Sequence, residues 1–395
     1  PIDDHGPIYL DHNATTPLDP RVLEAMVRVW RDCGANPASQ HAAGRAARRL
    51  VEEAREGILA LLGGRTSGRS TDRLIFTSGG TEANNLALQN WGASHLALSP
   101  LEHPSIQATA ARLSQALFPE GVHFRLERLP VLPNGKVDLT VIDMMAQRSS
   151  ESQRPALISV MLASNETGVL QPVREICQLV ENRGMLVHSD AVQAVGKVPV
   201  HFRELGVHAM TVAPHKFHGP LGIGALVVRS RVQLQPQLVG GFQQESLRAG
   251  TECAALAVGF HRALALAHEE STTRWARMRE LRDDFECVLR KELPTIVIMG
   301  EDVPPLPHPS CISSPPLERQ ALVMALDLAG VACSTGSACA SGSSEPSPTL
   351  VTMGLPPAVV GSAIRFSLGA FTTAAEVHSA TERIIKTVNR LRPAR

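Results

Sequence analysis

Several short stretches of the sequence combine residue types and spacing that can do chemistry. Thr77-Ser78-Gly79-Gly80-Thr81-Glu82-Ala83-Asn84-Asn85 follows a strand-like run and opens a helical pattern. Its glycines allow a tight turn, and free N–H groups at a helix start face an anion. Gly80 and Thr81 are therefore a candidate phosphate cradle, although an ordinary strand-to-helix turn reads the same way. No Gly-Lys-Ser/Thr follows, which sets the stretch apart from a Walker A loop. In Val187-His188-Ser189-Asp190-Ala191-Val192-Gln193, Asp190 ends an apolar strand, where open α/β sheets place ligands. A carboxylate there can hold a cationic ring nitrogen or serve only as a helix N-cap.

Ala213-Pro214-His215-Lys216-Phe217-His218-Gly219-Pro220 carries a lysine that could form a Schiff base with an aldehyde, or be a plain surface lysine. His215 and His218 have metal-like spacing, but no carboxylate or cysteine stands nearby, and no metal is expected. Gly219, Gly222 and Gly224 are too loosely arranged for a dinucleotide fingerprint and follow the lysine instead of opening a helix. Cys339 lies in the Gly/Ser-rich run Ser334–Pro348, where a thiol can be exposed. Arg365, within Ala363-Ile364-Arg365-Phe366-Ser367, is a cation in an apolar strand pattern. It requires a carboxylate partner if buried, and is otherwise a half-exposed strand position.

The elements that must position these residues are legible from periodicity. Arg73–Thr77, Leu96–Ser99, Phe124–Leu129, Leu157–Leu162, Met185–His188, Ala209–Ala213 and Ala225–Val228 read as strands. Ala42–Leu62, Thr81–Trp91, His103–Leu117 and Val173–Asn182 read as helices, the first ended by Gly63-Gly64. That alternation implies a mostly parallel sheet covered on both faces. Residues 253–292 form one long helical stretch, followed after Pro294 by a short strand and a Pro-rich patch. The shift in composition suggests a second, smaller C-terminal domain.

Composition narrows the function class. With 395 residues the chain has roughly two to three domains' worth of length. Its 38 basic and 38 acidic residues cancel, which argues against a general nucleic-acid binder, and 4% aromatics leaves few stacking platforms. Seven widely spaced cysteines with no Cys-x-x-Cys indicate neither a disulfide framework nor a zinc knuckle. A polar N-terminus and no apolar run of about 18 residues complete the expectation of a cytoplasmic protein.

In their order along the chain these pieces resemble the cysteine desulfurases, within the class V aminotransferases of fold type I pyridoxal 5'-phosphate (PLP) enzymes. The likeness starts at Tyr9-Leu10-Asp11-His12-Asn13-Ala14-Thr15-Thr16-Pro17 and ends at Arg365-Phe366-Ser367-Leu368-Gly369. Between them lie Asn36-Pro37-Ala38-Ser39-Gln40-His41, Ser78-Gly79-Gly80-Thr81-Glu82, Glu102-His103, Asn165-Glu166-Thr167-Gly168 and Arg248-Ala249-Gly250-Thr251. Ser337-Ala338-Cys339 followed by Glu345-Pro346-Ser347 is similar to the group I, NifS/IscS-like branch.

The resemblance implies an α/β fold: a large PLP-binding domain over residues 17–262, with a mostly parallel sheet between helices. A smaller α+β domain would span 263–395, with segment 1–16 packed against it. It implies that Lys216 holds PLP covalently and moves the Cα proton. Asp190 would keep the pyridine nitrogen protonated, His103 would stack on the ring, and Gln193 and Asn165 would lie by the ring oxygen. Gly80, Thr81 and His215 would hold the phosphate, together with Thr251 from the other subunit of a homodimer. Arg365, with Asn165, would bind the substrate carboxylate.

Cys339 would attack the sulfur of L-cysteine, keep it as a persulfide and release alanine. A sulfur-acceptor protein, serving iron–sulfur cluster, cofactor or tRNA biosynthesis, would be the further partner. Three positions depart from the family pattern: Ala213 where Ser or Thr is usual, Ser164 before Asn165, and Phe242 after Gly240-Gly241. A selenocysteine lyase and a non-catalytic PLP-binding homologue remain alternatives. The Gly-Ser-Ala-Cys setting of Cys339 favours the desulfurase.

Overall fold

The computed structural model describes residues 6–89, 95–115, 124–149, 156–336 and 345–392. The chain opens with β1 (Ile8–Tyr9), then α1 (Pro20–Asp32) and α2 (Ala42–Leu61). Asp19 caps α1 by accepting from Arg21 N–H, and Pro20 takes the first turn, where no donor is needed. An alternating region follows: β2 (Arg73–Thr77), α3 (Gly80–Leu88), β3 (His95–Leu98), α4 (Pro104–Gln115), β4 (Arg125–Arg128), α5 (Leu139–Ser149) and β5 (Ala156–Ser159). It continues through α6 (Val173–Leu179), β6 (Met185–Asp190), α7 (Phe202–Leu205), β7 (Ala209–Val212) and β8 (Gly224–Val228).

These strands make one seven-stranded sheet in the order β2-β8-β7-β6-β5-β3-β4. From β7 to β4 all pairs are parallel, so the sheet is mostly parallel as the alternation implies. β8 runs antiparallel to both β7 and β2. A parallel strand needs a long crossover, usually a helix; between β7 and β8 the chain has only a short 3-10 turn and a glycine-rich loop, so it doubles back. That reversal sets the lysine loop at the end of β7.

The long helical stretch is two helices, α8 (Ala254–Glu269) and α9 (Ser271–Glu292), separated at Glu270. α8 packs against α1 and α2 through small residues, and its buried Phe260 lies 6.4 Å from Phe76 and 6.1 Å from Phe217 between ring centres. Full burial of such a ring contributes about 1.5–3 kcal/mol. It props the turn carrying Lys216 against the large core. The division expected at residue 262 falls inside α8, whose Ala263, Leu264, Leu266 and Ala267 still pack with that core.

Beyond α9 come β9 (Val297–Ile298), β10 (Pro309–Ser313), α10 (Arg319–Leu328), β11 (Val331–Ala332), α11 (Pro348–Thr352), α12 (Pro357–Gly361), β12 (Ala363–Ser367) and α13 (Ala374–Leu391). β12, β10 and β9 form an antiparallel sheet, and β1 pairs in parallel with β11. Ile8 and Leu10 join a second apolar core with Leu281, Phe285, Phe366 and Ile384. A capping box between Thr373 and Glu376 starts α13. Among the described residues no helix is long and apolar enough to cross a membrane.

Candidate active site

A cavity of about 880 Å³ lies at the carboxyl ends of β6 and β7, between the two cores, a size usual for small-molecule sites. Gly80, Thr81, His103, Asn165, Asp190, Gln193, His215, Lys216 and Arg365 all line it. They come from sequence positions as far as 285 residues apart, Gly80 to Arg365. Thr251 is exposed and does not line this chain's cavity. Cys339 lies outside the described residues; Glu345 and Pro346, which follow its segment, line the cavity wall.

The cradle end is built by α3. Gly79 precedes its first turn, and no side chain caps that turn. A Cβ on Gly79 would meet nothing within 4 Å, so the space before the helix is open. Gly224 is required there for a different reason: a Cβ on it would stand 2.5 Å from the Gly79 carbonyl carbon. Glu82 then ties the turn down. It accepts from Ser78 N–H at 2.8 Å and from Arg248 Nε and Nη2 at 2.9 and 3.1 Å. The Arg-x-Gly-Thr segment is thereby anchored beside the cradle.

Asp190 is buried at the end of β6. Its Oδ1 accepts from Val192 N–H at 2.9 Å and its Oδ2 from Asn84 Nδ2 at 2.8 Å. Asn84 also donates to Ser105 Oγ at 3.0 Å, and Ser105 Oγ lies 2.8 Å from His103 Nδ1. A hydrogen-bonded chain thus runs from Asp190 to His103. Glu102 lies fully buried beside it, with Oε1 on the Met161 N–H at 2.5 Å. Burial, then the charge of Asp190, pushes Glu102 well above the usual carboxylate range.

Lys216 Nζ donates to the backbone carbonyls of Asn13 and Ala14 at 2.5 and 2.7 Å. Gln193 Nε2 donates to the same Asn13 carbonyl at 3.0 Å. The Asn13 side chain reaches the other way, Nδ2 to Asn165 O at 3.1 Å and Oδ1 to His308 Nε2 at 2.6 Å. His215 is pushed down to about 4 by burial, then by Lys216 and Lys197, so it is neutral at pH 7. His218 does not share a site with it: Nδ1 faces Pro17 O at 2.8 Å, and Nε2 accepts from Ala370 N–H at 3.2 Å.

Arg365 is 0% exposed, not a half-exposed strand residue. Nη1 donates to Asn165 O and Gly336 O at 2.9 and 2.8 Å, and Nη2 donates to Asp11 Oδ1 at 2.6 Å. The carboxylate partner expected of a buried arginine is therefore Asp11. Its Nε has no partner among the described residues, nor do Asn84 Oδ1 and Glu102 Oε2. Unsatisfied buried polar atoms around one cavity mark where a polar ligand would complete the site.

Asn13, Asn84 and Ser105 join the site without a chemical signature of their own in the sequence. Asn13 and Asn84 lie inside the family-like motifs, and position in the motif is the available signal. Ser105, two residues after His103, has none.

This fold and this constellation have counterparts. Residues 8–379 match the family model for aminotransferase class-V. A cysteine desulfurase from Cereibacter sphaeroides is 39% identical over 392 residues, covering 98% of this chain and 96% of its own. Among solved structures, a NifS-like protein from Rickettsia africae superposes with a TM-score of 0.87 at 32% identity, covering 97% of this chain and 99% of that one. SspA in complex with cysteine gives a TM-score of 0.74 at 27% identity over 93% of this chain and all of that one. The chain belongs to the aminotransferase class-V family. Within it, the chain stands among the cysteine desulfurases.

Proposed function

We propose that this protein is a PLP-dependent cysteine desulfurase that converts L-cysteine to L-alanine and passes the sulfur to Cys339. One observation carries the reading. An uncapped helix start, a carboxylate at a strand end, a lysine and a buried arginine all open on one cavity. The residues fit the cofactor: the open space before α3 would take its phosphate, Asp190 its ring nitrogen and Lys216 its aldehyde. PLP, when bound there, supplies an electron sink for bonds at the substrate Cα and Cβ.

The chain's own groups do the rest. Arg365 Nε, with no acceptor among the described residues, would take the substrate carboxylate, and Asn165 borders the same cavity. Lys216 Nζ moves the proton at the substrate Cα. His103, linked through Ser105 and Asn84 to Asp190, is placed to shift a proton at the substrate thiol. Cys339, as thiolate, attacks the substrate sulfur. The Cβ–S bond breaks, an S–S bond forms on Cys339, and the carbon fragment gains hydrogen and leaves as alanine. The sulfur is oxidised as the carbon is reduced, so no external oxidant is needed.

A homodimer, in which Thr251 reaches the partner's cradle, and a sulfur-acceptor protein complete the proposal. The test is incubation of the PLP-loaded protein with L-cysteine and, separately, L-selenocysteine in the presence of a thiol reductant. Alanine and sulfide in equal amounts are expected from cysteine. Turnover of selenocysteine alone would assign a lyase, and no alanine from either would refute the assignment.

A further inference from the structure

The chain uses arginine as its general cation, with 33 arginines and only five lysines. Lys291 and Lys386 are exposed and Lys136 is half-buried; of the other two, Lys216 lines the cavity and Lys197 is buried near enough to feel its charge. A guanidinium cannot shed its proton in a protein, whereas a buried lysine can. A lysine kept at position 197 against that bias suggests that an amine is needed there.

Lys197 is 4% exposed, in the turn that follows β6. That turn is pressed onto the Lys216 turn: a Cβ on Gly196, whose φ is +79°, would stand 2.6 Å from Phe217 Cβ. Lys197 Nζ makes a single hydrogen bond among the described residues, to Gln193 Oε1 at 2.8 Å. An ammonium has three donors to satisfy, and burying one with a single neutral acceptor is heavily penalised. The groups around it are all bases: Lys216 and Arg365, and the imidazoles of His12, His215, His218 and His308. Asp11 pairs with Arg365, but among the described residues no carboxylate acts on Lys197 itself.

We propose that Lys197 is a positioning residue of the cofactor site, an uncharged amine that holds the Gln193 amide in one orientation without adding a cation beside Lys216. With Oε1 held by Lys197, the Gln193 NH2 must face the Asn13 carbonyl, which Lys216 also grips. Burial drives Lys197 well below the ordinary lysine range, and Lys216 and then Arg365 act in the same direction. Asn13, Gln193, Lys197 and Lys216 thus form one chain, in which Lys197 acts through Gln193.

The inference rests on the cavity being a PLP site only for its consequence; the charge state can be measured without cofactor. Cofactor-free protein labelled in its lysine side chains should show at most five ε-carbon signals. The signal missing from Lys197→Met is expected at the neutral-amine position at pH 7.5. An ammonium position would overturn the proposal.

In PLP-loaded protein, Lys197→Arg adds a charge and should move the pH midpoint of the visible band down by about one unit. Lys197→Met should leave that midpoint in place but loosen PLP about tenfold, the loss of one buried hydrogen bond. A midpoint that moves in Lys197→Met and not in Lys197→Arg would refute the uncharged amine. A wild-type protein that gives no visible band would instead refute the functional reading and leave the lysine measurement standing. If the arginine variant does not fold, the carbon signals and the methionine variant still decide.

Discussion

Replacing Ala213 by Ser should tighten PLP binding. Ala213 is fully buried, lines the cavity and stands under the cradle, its Cβ 3.7 Å from where a Cβ on Gly80 would lie. A hydroxyl added there would stand close to Gly80, where the cofactor phosphate is proposed to sit. A hydrogen bond to a charged group is worth about 1.5–3 kcal/mol. Part of this is offset, because in the cofactor-free protein the new hydroxyl would already bond to water in the open cavity. About half remains, roughly 1.1 kcal/mol, or about a sixfold lower Kd.

The assay is a fluorescence titration of cofactor-free protein with PLP for wild type and Ala213→Ser, with release on dialysis as a second measure. Denaturant unfolding of the cofactor-free proteins checks that the change lies in the complex, where the variant should be equal to or slightly less stable than wild type. Unchanged or weaker binding by a folded Ala213→Ser protein would show that the phosphate does not lie over residue 213. The geometry of the cradle would then have to be redrawn.

Lys216→Ala should abolish the visible absorbance of PLP-loaded protein while far-ultraviolet circular dichroism stays unchanged; a persisting band would move the cofactor linkage to another amine. Cys339→Ser should still bind L-cysteine, seen as a spectral change, but yield no protein persulfide or sulfide, whereas sulfide at the wild-type rate would assign another cysteine. His188 is fully buried between Ser159 Oγ and Thr211 Oγ1, each at 3.0 Å, and burial pushes it down to about 4, against the opposing pull of Asp190. Its unfolded form takes up a proton near pH 6.5 while the folded form does not, so its contribution to stability is lost as pH falls from 6.5 towards 4. Denaturant unfolding at several pH values should show that decline, made shallower in His188→Gln; identical slopes would mean that His188 does not contribute.

The order of chemical groups along the chain was legible because each depends on its neighbours. The Gly79-Gly80 turn, Asp190 at a strand end and Lys216 after a strand follow from apolar periodicity and from glycine's conformational freedom, which act over a few residues. The same local rules separated β2 to β8 and showed most of them to be parallel. They could not show that β8 turns back, since pairing direction depends on the length and path of a connection. Nor could they show the break at Glu270, where two helical patterns meet with no proline or glycine between them.

What tertiary structure alone decided is how the groups are held. Asn13 joins Lys216, Gln193, Asn165 and His308, partners 152 to 295 positions away. Nothing in its immediate neighbours requires those contacts. Arg365 reads in sequence as a strand cation; only the fold buries it completely and sets Asp11 against it across 354 positions. Lys197 is the sharpest case. Its residue type is visible in the sequence, but its charge is decided first by burial and then by the cations Lys216 and Arg365 that folding brings near it. A side chain's propensity is a property of the local chain, while its protonation and hydrogen bonding belong to the solvent-excluded space that only the assembled fold encloses.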